Sequence, residues 1–150
     1  MKNFLLTLVL SLFISTSIFA HGEDKYGPNK GFVRMPGAFH TEVVLTAKNT
    51  VKVYLLDINW KNPSVTKSSV SLTHKSKSEE SADCTVESNY FICEFPKTVN
   101  LYKKGELKLT ALREDQKGNQ AIYKLPLKLE KSVPAPADVP EMKIDHSSHH

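Results

Sequence analysis

The sequence predicts an all-β protein: an immunoglobulin-like antiparallel β-sandwich of about seven to eight strands. Two observations lead to this prediction. Short runs rich in β-branched and aromatic residues recur at near-regular spacing, and clusters of Gly, Pro, Asn, Asp and Ser separate them. No stretch has a convincing helical period. A small β-barrel is the alternative architecture that the same pattern allows.

Eight segments have the composition of strands, and turn residues end most of them. The predicted strands are 31–36, 40–47, 51–60, 65–74, 82–87, 90–95, 105–113 and 120–130. Segment 51–60 is nearly continuous in apolar residues, as is typical of a central strand, and we expect Tyr54 and Trp60 to pack in or against the core. Because Pro126 cannot join a central ladder, segment 120–130 is expected at a sheet edge or with a bulge.

The segments between the strands predict loops and turns. Residues 75–81 (KSKSEES) form a charged loop, and His74 at its margin is expected to be exposed. Residues 115–119 form a turn in which Gly118 can supply a positive φ.

The two cysteines predict one disulfide. Segments 82–87 and 90–95 form a hairpin around Ser88 and Asn89, so that Cys84 stands opposite Cys93. Facing residues of paired strands have Cβ atoms about 4.5–5.5 Å apart, which is close to disulfide geometry.

Residues 1–20 have the three-part pattern of a signal peptide. Lys2 precedes an apolar run, and a Ser/Thr-rich stretch ends at Ala20, a small residue suited to the position before cleavage. The apolar run is too short to span a bilayer. We therefore expect a periplasmic or secreted protein without stable membrane insertion after cleavage, whose mature chain begins at His21.

Length and charge favour a single exported domain that does not bind nucleic acid. The chain has 150 residues, with 20 Lys and Arg against 16 Asp and Glu, and the basic residues are dispersed rather than gathered in a stripe. After the signal peptide we expect an arm at 21–30, a sandwich domain at 31–131 and a disordered, Pro-containing tail at 132–150.

The arm and the first strands contain the best candidates for metal ligands. The free α-amine and imidazole of a mature His21 can chelate one ion, and the small chelate ring suits Cu(II). Glu23 adds a carboxylate nearby, and His40 and Glu42 share one face of a strand. We expect the arm to fold back so that His21, His40 and a carboxylate bind Cu(II), with Met35 as a soft ligand for Cu(I). The competing interpretation is that these are ordinary surface residues.

The C-terminal tail contains a second group of candidates. His146, His149 and His150 lie in the terminal DHSSHH, and short His-rich tracts bind divalent metals loosely. The tail would then collect metal ions near the folded domain. The competing interpretation is a solubilising terminus.

The run at 27–45, GPNKGFVRMPGAFHTEVVL, followed by VKVYLLD at 51–57, resembles periplasmic proteins of heavy-metal efflux and copper-resistance systems. Lys30 stands where that pattern often has Gly. With its N-terminal histidine, the chain is similar to the copper-resistance protein C family over residues 21–57. The resemblance implies a small periplasmic β-sandwich in which His21 helps to bind Cu(II), with an efflux component as a partner.

The sequence therefore favours a non-enzymatic copper carrier, copper buffer or efflux accessory, with other divalent metals as possible cargo. The alternative is an envelope module that binds a protein partner and has no metal role. A histidine-brace copper oxidase is the least favoured hypothesis, since no platform of exposed aromatic residues is visible for a substrate.

Overall fold

The computed structural model describes residues 25–129, which form two antiparallel β-sheets. The strands are β1 (Phe32–Arg34), β2 (His40–Ala47), β3 (Thr50–Leu56), β4 (Ser69–Lys75), β5 (Glu79–Ser81), β6 (Asp83–Glu87), β7 (Tyr90–Glu94), β8 (Gly105–Arg113), β9 (Gln116–Lys117) and β10 (Ala121–Leu125). The predicted all-β sandwich is confirmed, and two separate sheets take the place of the alternative barrel. No helix in this part of the chain is long and apolar enough to cross a membrane.

The first sheet has the order β1-β2-β3-β7-β6, and the second has the order β10-β8-β4-β5 with β9 paired to β8. Strand β3 is central, as its continuous apolar composition predicted. Strand β10 lies at an edge and ends immediately before Pro126, which agrees with the expectation for that proline.

The core lies between the sheets and is built from alternate residues of each strand. The fully buried core residues include Val43, Val51, Val53, Leu55, Leu72, Leu101, Leu107, Leu109, Ala121 and Tyr123. One polar bridge crosses this core. The Tyr123 hydroxyl donates to the carbonyl oxygen of Thr41 at 3.0 Å and lies 2.7 Å from the Thr41 hydroxyl, which joins β10 to β2.

The hairpin of β6 and β7 has the predicted register. Cys84 pairs with Cys93 across the two strands, and the two residues form a disulfide. Disulfides are typical of proteins that reside in an oxidising compartment.

Several strand predictions differ from the structure. Segment 120–130 is a strand only over Ala121–Leu125, and the predicted turn 115–119 contains β9. Segment 51–60 is a strand only to Leu56, because the chain then enters a turn in which Trp60 and Asn62 have positive φ. Segment 65–74 becomes a strand only at Ser69. The predicted loop 75–81 contains the short strand β5, which pairs with β4.

The prediction that Gly118 supplies a positive φ to its turn is wrong. Glu114 and Asp115 adopt the positive φ values of that turn, and no described glycine does. A Cβ at position 118 would instead lie 2.9 Å from the Phe39 ring and 3.1 Å from Pro36. Close approach to the β1–β2 connection is therefore the reason for a glycine here.

Candidate metal site beside the N-terminal arm

His40 begins β2 and points away from the sandwich core. Because Thr41 and Val43 face the core, alternation turns His40 to the outer face, where it stands opposite Leu56 and is only 4% exposed. Its Nδ1 lies 3.1 Å from the carbonyl oxygen of Asp57. A carbonyl only accepts hydrogen bonds, so the neutral ring carries its proton on Nδ1 and its lone pair on Nε2. A histidine that coordinates metal through Nε2 has this tautomer.

The turn after β3 is organised by the side chain of Asp57. Its carboxylate accepts hydrogen bonds from the backbone N–H groups of Asn59 and Lys61, both at 2.9 Å, and from the side-chain amide of Asn62 at 2.7 Å. The Lys61 N–H is the largest of the causes that hold the pKa of this carboxyl below its usual value. The turn is thereby fixed in a shape that ends the strand early.

This turn places Trp60 against His40. Trp60 has a φ of 63°, and its ring meets the His40 imidazole edge-on with centroids 5.6 Å apart. The ammonium of Lys25 lies 4.9 Å from the centroid of the same indole. The beginning of the described arm is therefore next to the cluster of His40 and Trp60.

Arg113 supports the same turn from the second sheet. Its Nε donates to the carbonyl of Leu55 at 3.2 Å, and its Nη2 donates to the carbonyl of Asn62 at 2.8 Å. The guanidinium also pairs with Glu114 at 2.9 Å. Sequence reasoning missed Asp57 and Arg113. The cluster of turn-forming residues from Asp57 to Asn62 was the available signal for Asp57, whereas nothing local marked Arg113.

Glu42 holds the arm onto the outer face of the first sheet. One carboxylate oxygen accepts from the backbone N–H groups of Asn29 and Gly31, at 2.9 and 2.8 Å, and the other accepts from the Asn29 amide at 2.9 Å. The side chain is fully buried. A Cβ at Gly27 would lie 2.5 Å from the Glu42 carboxyl carbon, so only glycine permits this approach. Metal coordination by Glu42 stays a prediction, and it would require these hydrogen bonds to be given up.

Met35 follows β1 and is 37% exposed. The register of β1 on β2 pairs Arg34 with Thr41, and one further step along it would set Met35 opposite His40. Facing positions have Cβ atoms about 4.5–5.5 Å apart. Met35 directly follows and His40 directly precedes the last pair of the β1–β2 ladder, Arg34 with Thr41.

The remaining predicted ligands, His21, Glu23, His146, His149 and His150, lie outside the described residues, as do the predicted signal peptide and the whole predicted tail. Among residues 25–129, no three His, Cys, Asp or Glu side chains lie close enough to hold a metal ion. A complete site at His40 would therefore need ligands from the part of the arm that precedes Lys25.

The expectation that His74 is exposed is wrong. Val70, Leu72 and His74 occupy alternate positions of β4, and His74 continues the inward-facing row with only 5% exposure. Its ring meets the Phe95 ring edge-on at 6.2 Å. The alternation of apolar Val70 and Leu72 with polar Ser69, Ser71 and Thr73 is the sequence signal that predicts this inward position.

Comparisons of the chain with protein-family models, with curated proteins and with solved structures found no match.

Proposed function

We propose that this protein is an exported, non-enzymatic copper-binding protein of the periplasm that acts as a copper carrier or efflux accessory. The observation that best supports this proposal is that the N-terminal arm packs on the first sheet. Glu42 fixes residues 29–31 on the first sheet, and Lys25 contacts the indole that packs on His40. The signal-peptide pattern and the disulfide both support export.

The length of the arm permits a shared site. Lys25 lies four positions after His21, and such a segment spans at most about 14 Å when fully extended. Since the Lys25 side chain already contacts Trp60, the α-amine and imidazole of a mature His21 have the reach to meet Nε2 of His40. Three nitrogen donors of this kind suit the tetragonal geometry of Cu(II), and Glu23 supplies a carboxylate for the remaining position.

Met35 adds a ligand for Cu(I) to the proposed site. A thioether is a soft ligand that selects Cu(I). Met35 directly follows the last paired residue of β1, whose partner Thr41 directly follows His40. A site with both imidazole and thioether ligands can retain copper in either oxidation state, which is a useful property for a carrier.

The test is a Cu(II) titration of the mature chain followed by EPR and by tryptophan fluorescence. Trp60 is the only tryptophan, and Cu(II) bound at His40 quenches it through close contact. We expect one-to-one binding with strong quenching. Replacement His40→Ala should weaken this binding by about tenfold or more, since even loss of a residue that only supports a metal ligand costs about 10–100-fold.

Two controls separate this site from the other histidines. One extra residue before His21 removes the chelating α-amine and should abolish tight binding, whereas deletion of residues 145–150 should leave both affinity and quenching unchanged. If His40→Ala leaves Cu(II) affinity and quenching as they were, the shared site is wrong. If binding is lost with the tail alone, the chain is a sandwich with a metal-binding terminus and the envelope partner becomes the better hypothesis.

A further inference from the structure

His74 is a buried histidine whose two ring nitrogens have no hydrogen-bond partner among the described residues. A Cβ at Gly105 would lie 2.8 Å from Nε2, so the backbone at the start of β8 packs directly on the ring. Buried polar atoms are nearly always paired with protein, water or a bound ligand. The two nitrogens of His74 therefore point to a missing partner.

His74 forms part of the wall of an open cleft at one end of the sandwich. The cleft has a volume of about 560 Å³ and lies between the β4–β5 end and the segment 98–104 that follows β7. Clefts that hold small molecules typically measure about 300–1,000 Å³. The cleft is therefore large enough for a small organic ligand rather than for one water molecule.

The charge of the cleft is strongly positive. Lys77, Lys103 and Lys104 line it, and none of them forms an ion pair within the part of the chain that the structure describes. Glu80 is the one acidic residue of the lining and stands opposite His74 in the pairing of β4 with β5. Hydroxyl groups from Ser, Thr and amide groups from Asn complete the wall, and they suit the oxygens of an oxyanion.

We infer that this cleft binds a small molecule that carries a phosphate group, with the three lysines as its counter-charges. The ring nitrogens of His74 are covered in the unliganded structure, and on binding the ring turns one N–H toward the anion. Lysine ammonium groups bind phosphate as point charges, and a doubly charged anion balances the excess of lysines over Glu80. A metal cation is disfavoured by the same lysines. The inference does not depend on the proposed copper site, which lies on the outer face of the other sheet.

The test is a calorimetric titration of the mature chain with inorganic phosphate and with glycerol 2-phosphate, using sodium chloride at equal ionic strength as the blank. We expect saturable binding of glycerol phosphate, and NMR of the histidine ring nitrogens should show the His74 signals move toward the protonated form as the anion binds. Chloride should cause neither effect. Equal changes with chloride would reduce the result to ionic screening and overturn the site.

Two variants test the residues. The triple replacement of Lys77, Lys103 and Lys104 by Gln should weaken phosphate binding by about tenfold or more, because it removes every lysine of the cleft. The matched triple replacement of the exposed Lys117, Lys124 and Lys128 changes net charge equally and should leave the affinity as it was. Equal losses in the two triple variants would mean a general charge effect and would contradict the site.

The variant His74→Leu separates a binding role from a packing role. Leucine fills the space without polar atoms, so the unliganded protein should be at least as stable, while phosphate affinity falls. Unchanged phosphate affinity in this variant would remove His74 from the site.

The source of the phosphate is tested with phosphatidylcholine vesicles that contain phosphatidic acid. Cosedimentation that the cleft triple variant loses would assign the phosphate to a lipid headgroup, whereas binding of glycerol phosphate without cosedimentation would assign it to a soluble ester. Binding to neither would overturn the inference.

Discussion

His74 shows how a single residue makes stability depend on pH. Burial lowers its pKa, and the negative charge of Glu80 acts in the opposite direction but is the smaller effect. The folded state therefore holds the neutral ring, whereas the unfolded chain takes up a proton below about pH 6.5. The unfolded state binds more protons in that range, so the free energy of unfolding falls as the pH falls.

We expect His74→Leu to remove this part of the pH dependence. The native protein should lose stability as the pH falls from about 7 to 5, with a slope from this residue of at most ~1.4 kcal/mol per pH unit. Urea unfolding of both proteins across that range measures it, and the difference between them isolates His74 from the other histidines. A constant difference between the two proteins at every pH would contradict the assignment.

Single residues also show where sequence reasoning stopped. Alternation of apolar residues predicts the inward positions Leu107, Leu109 and Ala111 of β8, but polar residues also continue such rows. Arg113 does so in β8 and His74 does so in β4, where its place beside a charged loop predicts exposure instead. The sequence predicts Trp60 in a strand because the composition of segment 51–60 is that of a strand. The strand ends early because the Asp57 carboxylate accepts three hydrogen bonds that form a turn in place of further strand pairing. The composition of the segment does not indicate these bonds.

At the scale of elements, the arm is held by close packing that only glycine allows. In Gly27→Ala the new Cβ would meet the Glu42 carboxylate and Val33, so the arm must lift. We expect a loss of about 1–3 kcal/mol in the free energy of unfolding, as for other overpacked sites. We also expect faster tryptic cleavage after Lys30, because the docked turn no longer shields it.

The matched control is Gly37→Ala, whose Cβ has only the Cα of Gly118 nearby, at 3.8 Å. It should change neither stability nor cleavage. Equal cleavage in both variants would mean that the arm does not depend on its contact with Glu42.

The two sheets are joined by a polar contact as well as by the apolar core. Tyr123 is fully buried, and Tyr123→Phe removes the hydroxyl that bonds Thr41. We expect a loss of about 1–3 kcal/mol, because a buried group on Thr41 is left without its partner. Tyr102→Phe, at an exposed position, should stay within about 0.5 kcal/mol. Chemical denaturation measures both, and equal midpoints would show that the bridge contributes nothing.

At the scale of the whole molecule, the sequence predicts features that depend on nearby residues better than contacts between residues distant in sequence. The sequence predicted the two-sheet architecture, the start of β2 at His40 and the pairing of Cys84 with Cys93, since each follows from alternation or a short turn. The surroundings of His40 combine the end of β3, the arm and Arg113 of β8, which are distant in sequence. Composition carries no signal for such contacts.

A copper site shared between arm and sandwich links metal binding to folding. Only a site that requires the folded chain stabilises it, because a ligand that binds folded and unfolded states equally shifts nothing. A copper site made by the tail histidines alone, or by the terminal chelate of His21 alone, would need no folded domain and so would not stabilise the fold. In the proposed site, His40 contributes to copper binding only where the arm is docked.

We therefore expect Cu(II) at 100 times its Kd to raise the free energy of unfolding by up to about 2.7 kcal/mol, less any affinity that the unfolded chain retains. Deletion of residues 145–150 should preserve this gain, whereas His40→Ala and Gly27→Ala should each reduce it. Urea unfolding with and without Cu(II) measures all four proteins. A gain that disappears with the tail and survives in His40→Ala would show that copper does not join the arm to the sandwich.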